Sequence, residues 1–377
     1  AAEVYKGQPN PPGQDVSMGV ASGRPIVAER PMYFDYQGLG AWGWTGGHDV
    51  LGATAAAGEW FFAEGTTRAG FEEWLCLQNP NPAPVTVTAT FMFGPGQGPN
   101  LTRDYALQAN SRTTLMVNNE VGEGKDVTVR ITSAADVIAE RHMYCSDGRG
   151  WTGGHDVVGA TAAAGEWFFA EGTTRAGFEE WLCLQNPNPA AIDVTATFMF
   201  GPGQGPNQAK TYRLDPASRT TLKVNDEVGE GKDVSVRITS ASDFIAERPM
   251  YFSYGPGWTG GHDVVAAAAP STTWYFAEGC TGYSIQEYLC LQNPHAEAVS
   301  ADITFMMTKG EVFTRTLSLP PASRTTLDIN RFIGFNGSSD MVAVHPYRSP
   351  ADWGAHYAAV VQALRARGAG HEVVCTE

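Results

Sequence analysis

Residues 53–83 read ATAAAGEWFFAEGTTRAGFEEWLCLQNPNPA, and residues 160–190 repeat them letter for letter. A more divergent third copy has WYFAEG at 274–279 and EYLCLQNP at 287–294. Trp60, Trp167 and Trp274 mark a constant step of 107 residues. Because self-similarity at a fixed step is the signature of a repeat architecture, the sequence predicts an array of modules.

Each module contains about seven short segments rich in Val, Thr and aromatic residues, separated by turns such as PNP and GEGKD. VTVTATFMF (85–93) alternates apolar and hydroxyl side chains, which is typical of a half-buried strand. The predicted fold class is all-β: tandem immunoglobulin-like β-sandwich modules of 107-residue period, with a short C-terminal βαβ segment.

The opening residues belong to the second half of a module. GQDVSMGVASGRPIVAERPMYF (13–34) aligns without a gap on 231–252, whereas no "IAERPMYF" follows the third copy. The predicted domains are therefore a second half-module (1–52), two modules (53–159 and 160–266), an incomplete module (267–340) and a βαβ tail (341–377).

The composition excludes several classes of partner. Lys and Arg number 25 against 40 Asp and Glu, a net charge of −15, so we expect neither nucleic acid nor anionic lipid as a partner. No apolar run approaches the roughly 20 residues of a membrane span. The start AAEV suits a mature end after cleavage at a small-residue site, so we expect an extracellular or cell-surface protein. No cofactor is expected.

The cysteines follow the repeat only in part. Cys76, Cys183 and Cys290 occupy one repeated position, which cannot pair within its own module, and are predicted to be buried free thiols. Cys280 and Cys290 share the third module, so a bridge between them is compatible with the sequence.

The junction motif GWTGGHD carries one His-Asp pair in each module. His and Asp are metal ligands, so a metal site is one interpretation. The other is that His-Asp closes a glycine turn at the junction through side-chain hydrogen bonds, and the thin ligand set favours it. The metal candidates are His155, Asp156, His262 and Asp263.

The motif AER places a Glu-Arg pair in an otherwise apolar strand, where an unpaired buried charge costs several kcal/mol. One interpretation is a catalytic carboxylate. The favoured one is a structural ion pair, since every module repeats it, with Arg112, Arg219 or Arg324 as partners. The predicted ion-pair residues are Glu140, Arg141, Glu247 and Arg248.

Aromatic residues are the candidate ligand-binding groups, because exposed indole faces stack on sugar rings. Trp is equally the usual core residue of a sandwich, and core or junction packing is the favoured alternative. The candidates are Trp74, Trp181, Tyr288, Trp151 and Trp258.

The motifs FAEG, EEWLCLQNPNP, IAERPMYF and GWTGGHDVVGA carry a resemblance over residues 13–335. They resemble repeated sandwich domains of large secreted proteins from actinobacteria and related bacteria, which often stand beside cell-wall or polysaccharide hydrolases. The function of those repeated domains is not known, so the resemblance implies the sandwich fold and a secreted protein.

The tail from DMVAVHPY (340–347) to VVCTE (373–377) resembles strands six and seven of a retaining (β/α)₈ glycosidase. That resemblance implies that Glu377 matches the nucleophile and that His345 lines the cleft. The acid/base Asn-Glu and the other strands are missing, so we expect no enzyme activity. The tail is expected either to complete the third module or to be a remnant of fusion.

Two functions remain open. A structural protein would assemble head to tail into a filament, with the strand at 25–34 of one chain inserting into the third module of another. A carbohydrate- or cell-wall-binding module of a secreted hydrolase is the alternative. The predicted inter-subunit strand comprises Pro25, Ile26, Val27, Ala28, Glu29, Arg30, Pro31, Met32, Tyr33 and Phe34.

Overall fold

The computed structural model describes residues 15–24, 26–37, 43–146, 150–255, 257–276, 279–281, 285–307 and 310–333. The chain divides into two compact units, one of Val16–Ala277 with Cys290–Thr325 and one of Ala1–Asp15, Glu278–Leu289 and Thr326–Glu377. Antiparallel strand pairs dominate the described residues, which confirms the all-β fold class.

The first hairpin and the first complete module account for nine strands and one short helix. The hairpin comprises β1 (Glu29–Gln37) and β2 (Gly43–Leu51). The module comprises β3 (Ala57–Phe62), β4 (Phe71–Asn79), β5 (Val85–Phe93), β6 (Leu101–Leu107), β7 (Ser111–Met116), α1 (Val117–Val121), β8 (Val127–Ser146) and β9 (Thr152–Val158).

The second module repeats this order, with one long strand divided in two. It comprises β10 (Ala164–Phe169), β11 (Phe178–Asn186), β12 (Ile192–Phe200), β13 (Gln208–Leu214), β14 (Ser218–Lys223), α2 (Val224–Val228), β15 (Val234–Glu247), β16 (Met250–Tyr254) and β17 (Trp258–His262). The third copy contributes β18 (Tyr288–Asn293), β19 (Val299–Met306), β20 (Val312–Leu319), β21 (Ser323–Asp328) and α3 (Ile329–Phe332).

The long strand β8 belongs to both sheets of its module. Its first part, Val127 to Ser133, pairs with β5, and its last part, Ile138 to Cys145, pairs with β4. Between them the register against β3 shifts, which marks a bulge that turns the strand from one sheet to the other. The AER motif therefore lies after the corner, on the β4 side.

Each complete module has its own apolar core. Val87, Ala89 and Phe91 of β5 are fully buried and Thr86 is exposed, as the alternating pattern predicts. The indole N–H of Trp60 donates to the Val137 carbonyl at 2.9 Å, and that of Trp167 to the Phe244 carbonyl at 2.7 Å. These bonds satisfy the polar atom of a buried Trp, so the FAEG strand is fixed on the core by its repeated Trp.

Three short helices lie among the described residues, and the sequence patterns did not predict them. Each follows the SRTTL strand in the segment VNNEV, VNDEV or INRF. A single turn of helix has no periodicity that a sequence pattern can reveal.

Candidate functional site

The glycine-rich GWTGGHD segments are strands, so the prediction of a glycine turn was wrong. Each pairs with the strand that carries or directly follows the AER motif before it: β2 with β1, β9 with the end of β8, and β17 with β16. Glycine inside a strand marks a place where another backbone approaches closely. The three hairpins meet one another through these strands.

The approach between neighbouring hairpins leaves no room for a side chain. A Cβ on Gly46 would lie 3.3 Å from the Gly153 Cα atom. A Cβ on Gly153 would lie 2.8 Å from the Gly260 Cα atom and 2.8 Å from the Gly261 nitrogen. Glycine is needed here because of this packing, and none of these residues has a left-handed φ.

Arg141 of the AER motif is the centre of a buried ion network between the two complete modules. Its guanidinium pairs with Glu64 of its own module. It also contacts the second module, at 3.2 Å from the Glu247 carboxylate and 2.5 Å from that of Asp263. The Arg141 side chain and both of these carboxylates have no exposed surface, so the network is fully removed from water.

The Glu247 carboxylate also receives backbone hydrogen bonds from the first module. The N–H groups of Ala63 and Glu64 donate to its two oxygens at 2.8 and 3.0 Å. Burial raises the pKa of Glu247 well above its usual value, and Asp263 raises it further. Burial would also raise the pKa of Asp263, but Arg141, His155 and a hydrogen bond from Glu247 together lower it. Burial therefore opposes ionisation of Glu247, whereas Arg141 and His155 favour ionisation of Asp263.

Arg30 and Arg248 occupy the same position in their own repeats. Arg30 pairs with Asp156 and, at 3.0 Å, with Glu140 of the next module. Arg248 pairs with Glu171, the counterpart of Glu64. The predicted ion-pair residues thus lie in ion pairs, but their partners come from FAEG and from the next module's AER and HD motifs.

The predicted partners Arg219 and Arg324 have a different role, so that part of the prediction was wrong. Arg219 donates to the carbonyls of Gly65 and, at 2.7 Å, Val127 in the preceding module. Arg324 donates to the equivalent carbonyls of Gly172 and, at 2.9 Å, Val234. The second and third copies therefore each insert a buried arginine into the backbone of the repeat before them.

The repeated cysteines lie beside these arginines. Cys76 and Cys183 are free thiols, and the sulfur atoms of Cys76, Cys183 and Cys290 each accept a hydrogen bond from the SRTTL arginine of their own module at 3.1 to 3.3 Å. Burial raises the pKa of the Cys183 thiol to about 11. No disulfide joins Cys280 to Cys290.

The stacked strands bring the His of one HD motif beside the Asp of the next. Two clusters result among the described residues, His48–His142–Asp156 and Glu64–His155–Asp263, and within each cluster the ligand atoms lie within 4.8 Å of one another. The predicted metal candidates are thus divided between junctions, and His262 belongs to neither cluster. Burial lowers the pKa of His48 to about 4, that of His155 to about 3, and that of His142 well below its usual value.

The sequence patterns did not single out His142. The repeat reads AERPMY at 28–33 and 246–251 but AERHMY at 139–144, so this histidine replaces a proline. This single substitution between otherwise matching repeats is the feature of the sequence that could have identified His142. It places a second imidazole against His48, with ring centroids 4.6 Å apart.

Two further carboxyl groups are buried at repeated positions of the FEEW strand. Glu73 and Glu180 are fully buried, and no hydrogen bond from a side chain reaches the oxygens of either one. Burial raises the pKa of Glu180 to about 8, although the positive charge of Arg248 lowers this pKa in part. The pKa of Glu73 is raised for the same reason.

The aromatic candidates divide between half-buried and exposed positions. Trp74, Trp151, Trp181 and Trp258 are partly buried, and Tyr288 is 48% exposed. Trp181 lies under the Lys223 ammonium group and lines a cavity of about 230 Å³. Polar groups from the first module share that cavity, among them Arg68, Gln97 and Asp126.

The predicted inter-subunit strand pairs within its own chain. Its residues from Glu29 onward form β1, which is hydrogen-bonded to β2 in a two-stranded sheet. Ile26 and Val27 are 60% and 50% exposed. Pro25, His345 and Glu377, with the βαβ tail, lie outside the described residues.

Comparison with known proteins identifies no family for this chain. No family model matches it, and no curated protein matches it. Among solved structures, a protein described as Thermotoga maritima 1070 is similar at 18% identity and a TM-score of 0.26, over 28% of this chain and 94% of that one. The CBM22-1-CBM22-2 tandem domain of Paenibacillus barcinonensis Xyn10C is similar at 8% identity and a TM-score of 0.16, over 57% and 85%. Similarities this distant carry no argument about function.

No helix among the described residues is long and apolar enough to cross a membrane.

Proposed function

We propose that the chain is an extracellular structural array without catalysis of its own, in which buried ion pairs fix each module against the next. The observation that carries this proposal is Arg141, which joins Glu64 of one module to Glu247 and Asp263 of the next with no exposed surface. A charge buried in this way needs all its partners, so a shifted junction is penalised by several kcal/mol.

The polar groups set the relative position of the modules, and the glycine strands supply the close fit. Ion pairs and hydrogen bonds at an interface fix its register more than they raise its affinity. Arg219 inserts into the first module from the second, and the Asn100 amide donates to the Ala217 carbonyl at 2.7 Å. Asn207 repeats that bond to Ala322 at the next junction, also at 2.7 Å. The same connections at successive junctions support a defined spacing along the array.

We further propose that a second copy of the chain docks on the β16–β17 hairpin through its own β1–β2 hairpin. Among the described residues, the one ion pair of Arg248 is with Glu171, and its side chain is 4% exposed, whereas Arg141 also meets a Glu and an Asp of the next module. Asp49 of β2 is exposed, although its counterparts Asp156 and Asp263 are engaged by arginines. Asp49 of one copy is therefore complementary to Arg248 of another, and repetition of this contact builds a filament.

Negative-stain electron microscopy of the purified chain tests the docking of copies. We expect filaments that disappear in Asp49→Arg, because the reversed charge then faces Arg248, and that also disappear when residues 1–34 are removed. Asp35→Arg is the matched control, since Asp35 is exposed on the same hairpin and lies outside the motif. Single particles from the unaltered chain, or filaments from Asp49→Arg, would contradict head-to-tail docking.

Carbohydrate binding is a second candidate, favoured by the cavity that Trp181 shares with Arg68, Gln97 and Asp126. An indole face beside several polar groups is a common arrangement for holding a sugar. Calorimetric titration with soluble cell-wall polysaccharides should show binding that Trp181→Ala abolishes. Trp74→Ala, the same position of the first module, is the control. Equal binding by both variants would exclude this cavity as the site.

A further inference from the structure

We propose that His48, His142 and Asp156 form a zinc site between the β1–β2 hairpin and the first complete module. The three side chains come from three strands, β2, β8 and β9, and their ligand atoms lie within 4.8 Å of one another. Two imidazoles and one carboxylate are a common protein ligand set for Zn²⁺, which leaves one coordination position for water.

The ligand atoms of this cluster have no other partners. Neither nitrogen of His48 has a hydrogen bond, and the same holds for Nε2 of His142 and Oδ1 of Asp156. His142 is 7% exposed and Asp156 is 5% exposed, so these groups are removed from water as well. Buried polar atoms nearly always have a partner, and a cluster of four without one indicates a missing ligand. The other Asp156 oxygen is bound by Arg30, which holds the carboxylate in place.

A zinc ion fits the distances after a small adjustment. Zn–N and Zn–O bonds of about 2.0–2.1 Å place tetrahedral ligand atoms about 3.4 Å apart, so movements of about 1 Å close the site.

The related cluster at the next junction does not offer the same ligands. Both clusters have an arginine on a carboxylate, Arg30 on Asp156 in the first and Arg141 on Glu64 and Asp263 in the second, so the difference lies in the imidazoles. The only imidazole of the second cluster is that of His155, since Pro249 stands where the first module has His142. We therefore expect one zinc ion per chain, bound at the first junction.

The test is equilibrium dialysis of the full chain against Zn²⁺ with excess Mg²⁺, followed by elemental analysis. We expect one zinc per chain in the unaltered protein and its loss in His142→Pro, which restores the residue of the other two repeats. His142→Gln is a second variant, because it keeps the backbone N–H that proline lacks. His155→Ala is the matched control at the other cluster and should keep the zinc. Circular dichroism establishes that each variant is folded.

A second measurement reports on the site itself. Zn²⁺ should slow hydrogen exchange of the β2 amides in the unaltered chain, because the ion ties β2 to β8 and β9. It should have no such effect in His142→Gln. Absence of zinc from the unaltered chain would overturn the proposal, and so would equal zinc content in folded His142→Gln.

Discussion

Arg141 illustrates how one buried residue holds two modules. Its ion pairs replace water around the guanidinium with three carboxyl groups that lie far apart in the sequence. Exchanging the whole network for apolar groups would change the free energy of unfolding little. Removing one charged partner, in contrast, leaves the others buried and unpaired.

Arg141→Ala should therefore lower the free energy of unfolding by about 3–5 kcal/mol. The measurement is urea denaturation followed by tryptophan fluorescence. Arg175→Ala is the control, because that side chain is 60% exposed in its pair with Asp233 and should cost at most about 1 kcal/mol. Equal losses in the two variants would contradict a buried network at Arg141.

The buried carboxyl group of Glu180 predicts that stability depends on pH between about 4.5 and 8. Its pKa is raised to about 8 by burial, so between about pH 4.5 and 8 the folded state holds a proton that the unfolded state has lost. Stability should therefore fall as the pH rises through this window. Glu180→Gln keeps the shape and removes the charge.

Thermal unfolding across that range measures the effect. The melting temperatures of Glu180→Gln and the unaltered chain should agree near pH 4.5. Near pH 8.5 the variant should be more stable by a few kcal/mol, at about 1.4 kcal/mol per unit of pKa shift. Parallel pH profiles would show that Glu180 is ionised in the folded protein at neutral pH.

At the scale of elements, the GWTGGHD strands show that glycine is selected here for contact and not for turning. The hairpins approach so closely that the Gly153 position faces the backbone of Gly260. The close approach in turn brings Asp263 to Arg141, since both charged motifs lie on the strands that stack.

Gly153→Ala should push the two hairpins apart and destabilise the chain by about 1–3 kcal/mol, the usual cost of overpacking. Gly52→Ala is the control, because its Cβ would meet only the Ala28 carbonyl oxygen, at an ordinary 3.5 Å. Chemical denaturation compares the two variants. A Gly153→Ala protein as stable as the control would mean that the hairpins separate without cost.

At the scale of the whole molecule, repeated connections should make neighbouring modules unfold together. In repeat proteins, the coupling between neighbours adds to the intrinsic stability of each repeat. The Arg219 side chain is 3% exposed and bonds to two carbonyls of the preceding module, so it is one of the strongest connections at this junction.

Arg219→Ala should weaken that coupling and split the calorimetric unfolding of the two complete modules into separate transitions. The buried Val127 carbonyl loses its arginine donor, at a cost of about 1–3 kcal/mol, while the Gly65 carbonyl keeps the hydrogen bond from the Val127 N–H. Arg213→Ala, an exposed pair with Asp193, is the control and should leave the transition single. A single transition in Arg219→Ala would show that other contacts couple the two modules.

The amino-acid sequence by itself determined the repeat, the all-β class and the alternation of buried and exposed side chains in β5. These depend on local periodicity and on a repeat distance that identical residues reveal. Only the tertiary structure decided the partners of the charges. Glu64, Arg141, Glu247 and Asp263 meet because β8 turns a corner and glycine strands stack, and neither event leaves a local pattern. Glycine is ambiguous in sequence, since a turn and a close backbone contact both require it, and here the contact was the reason.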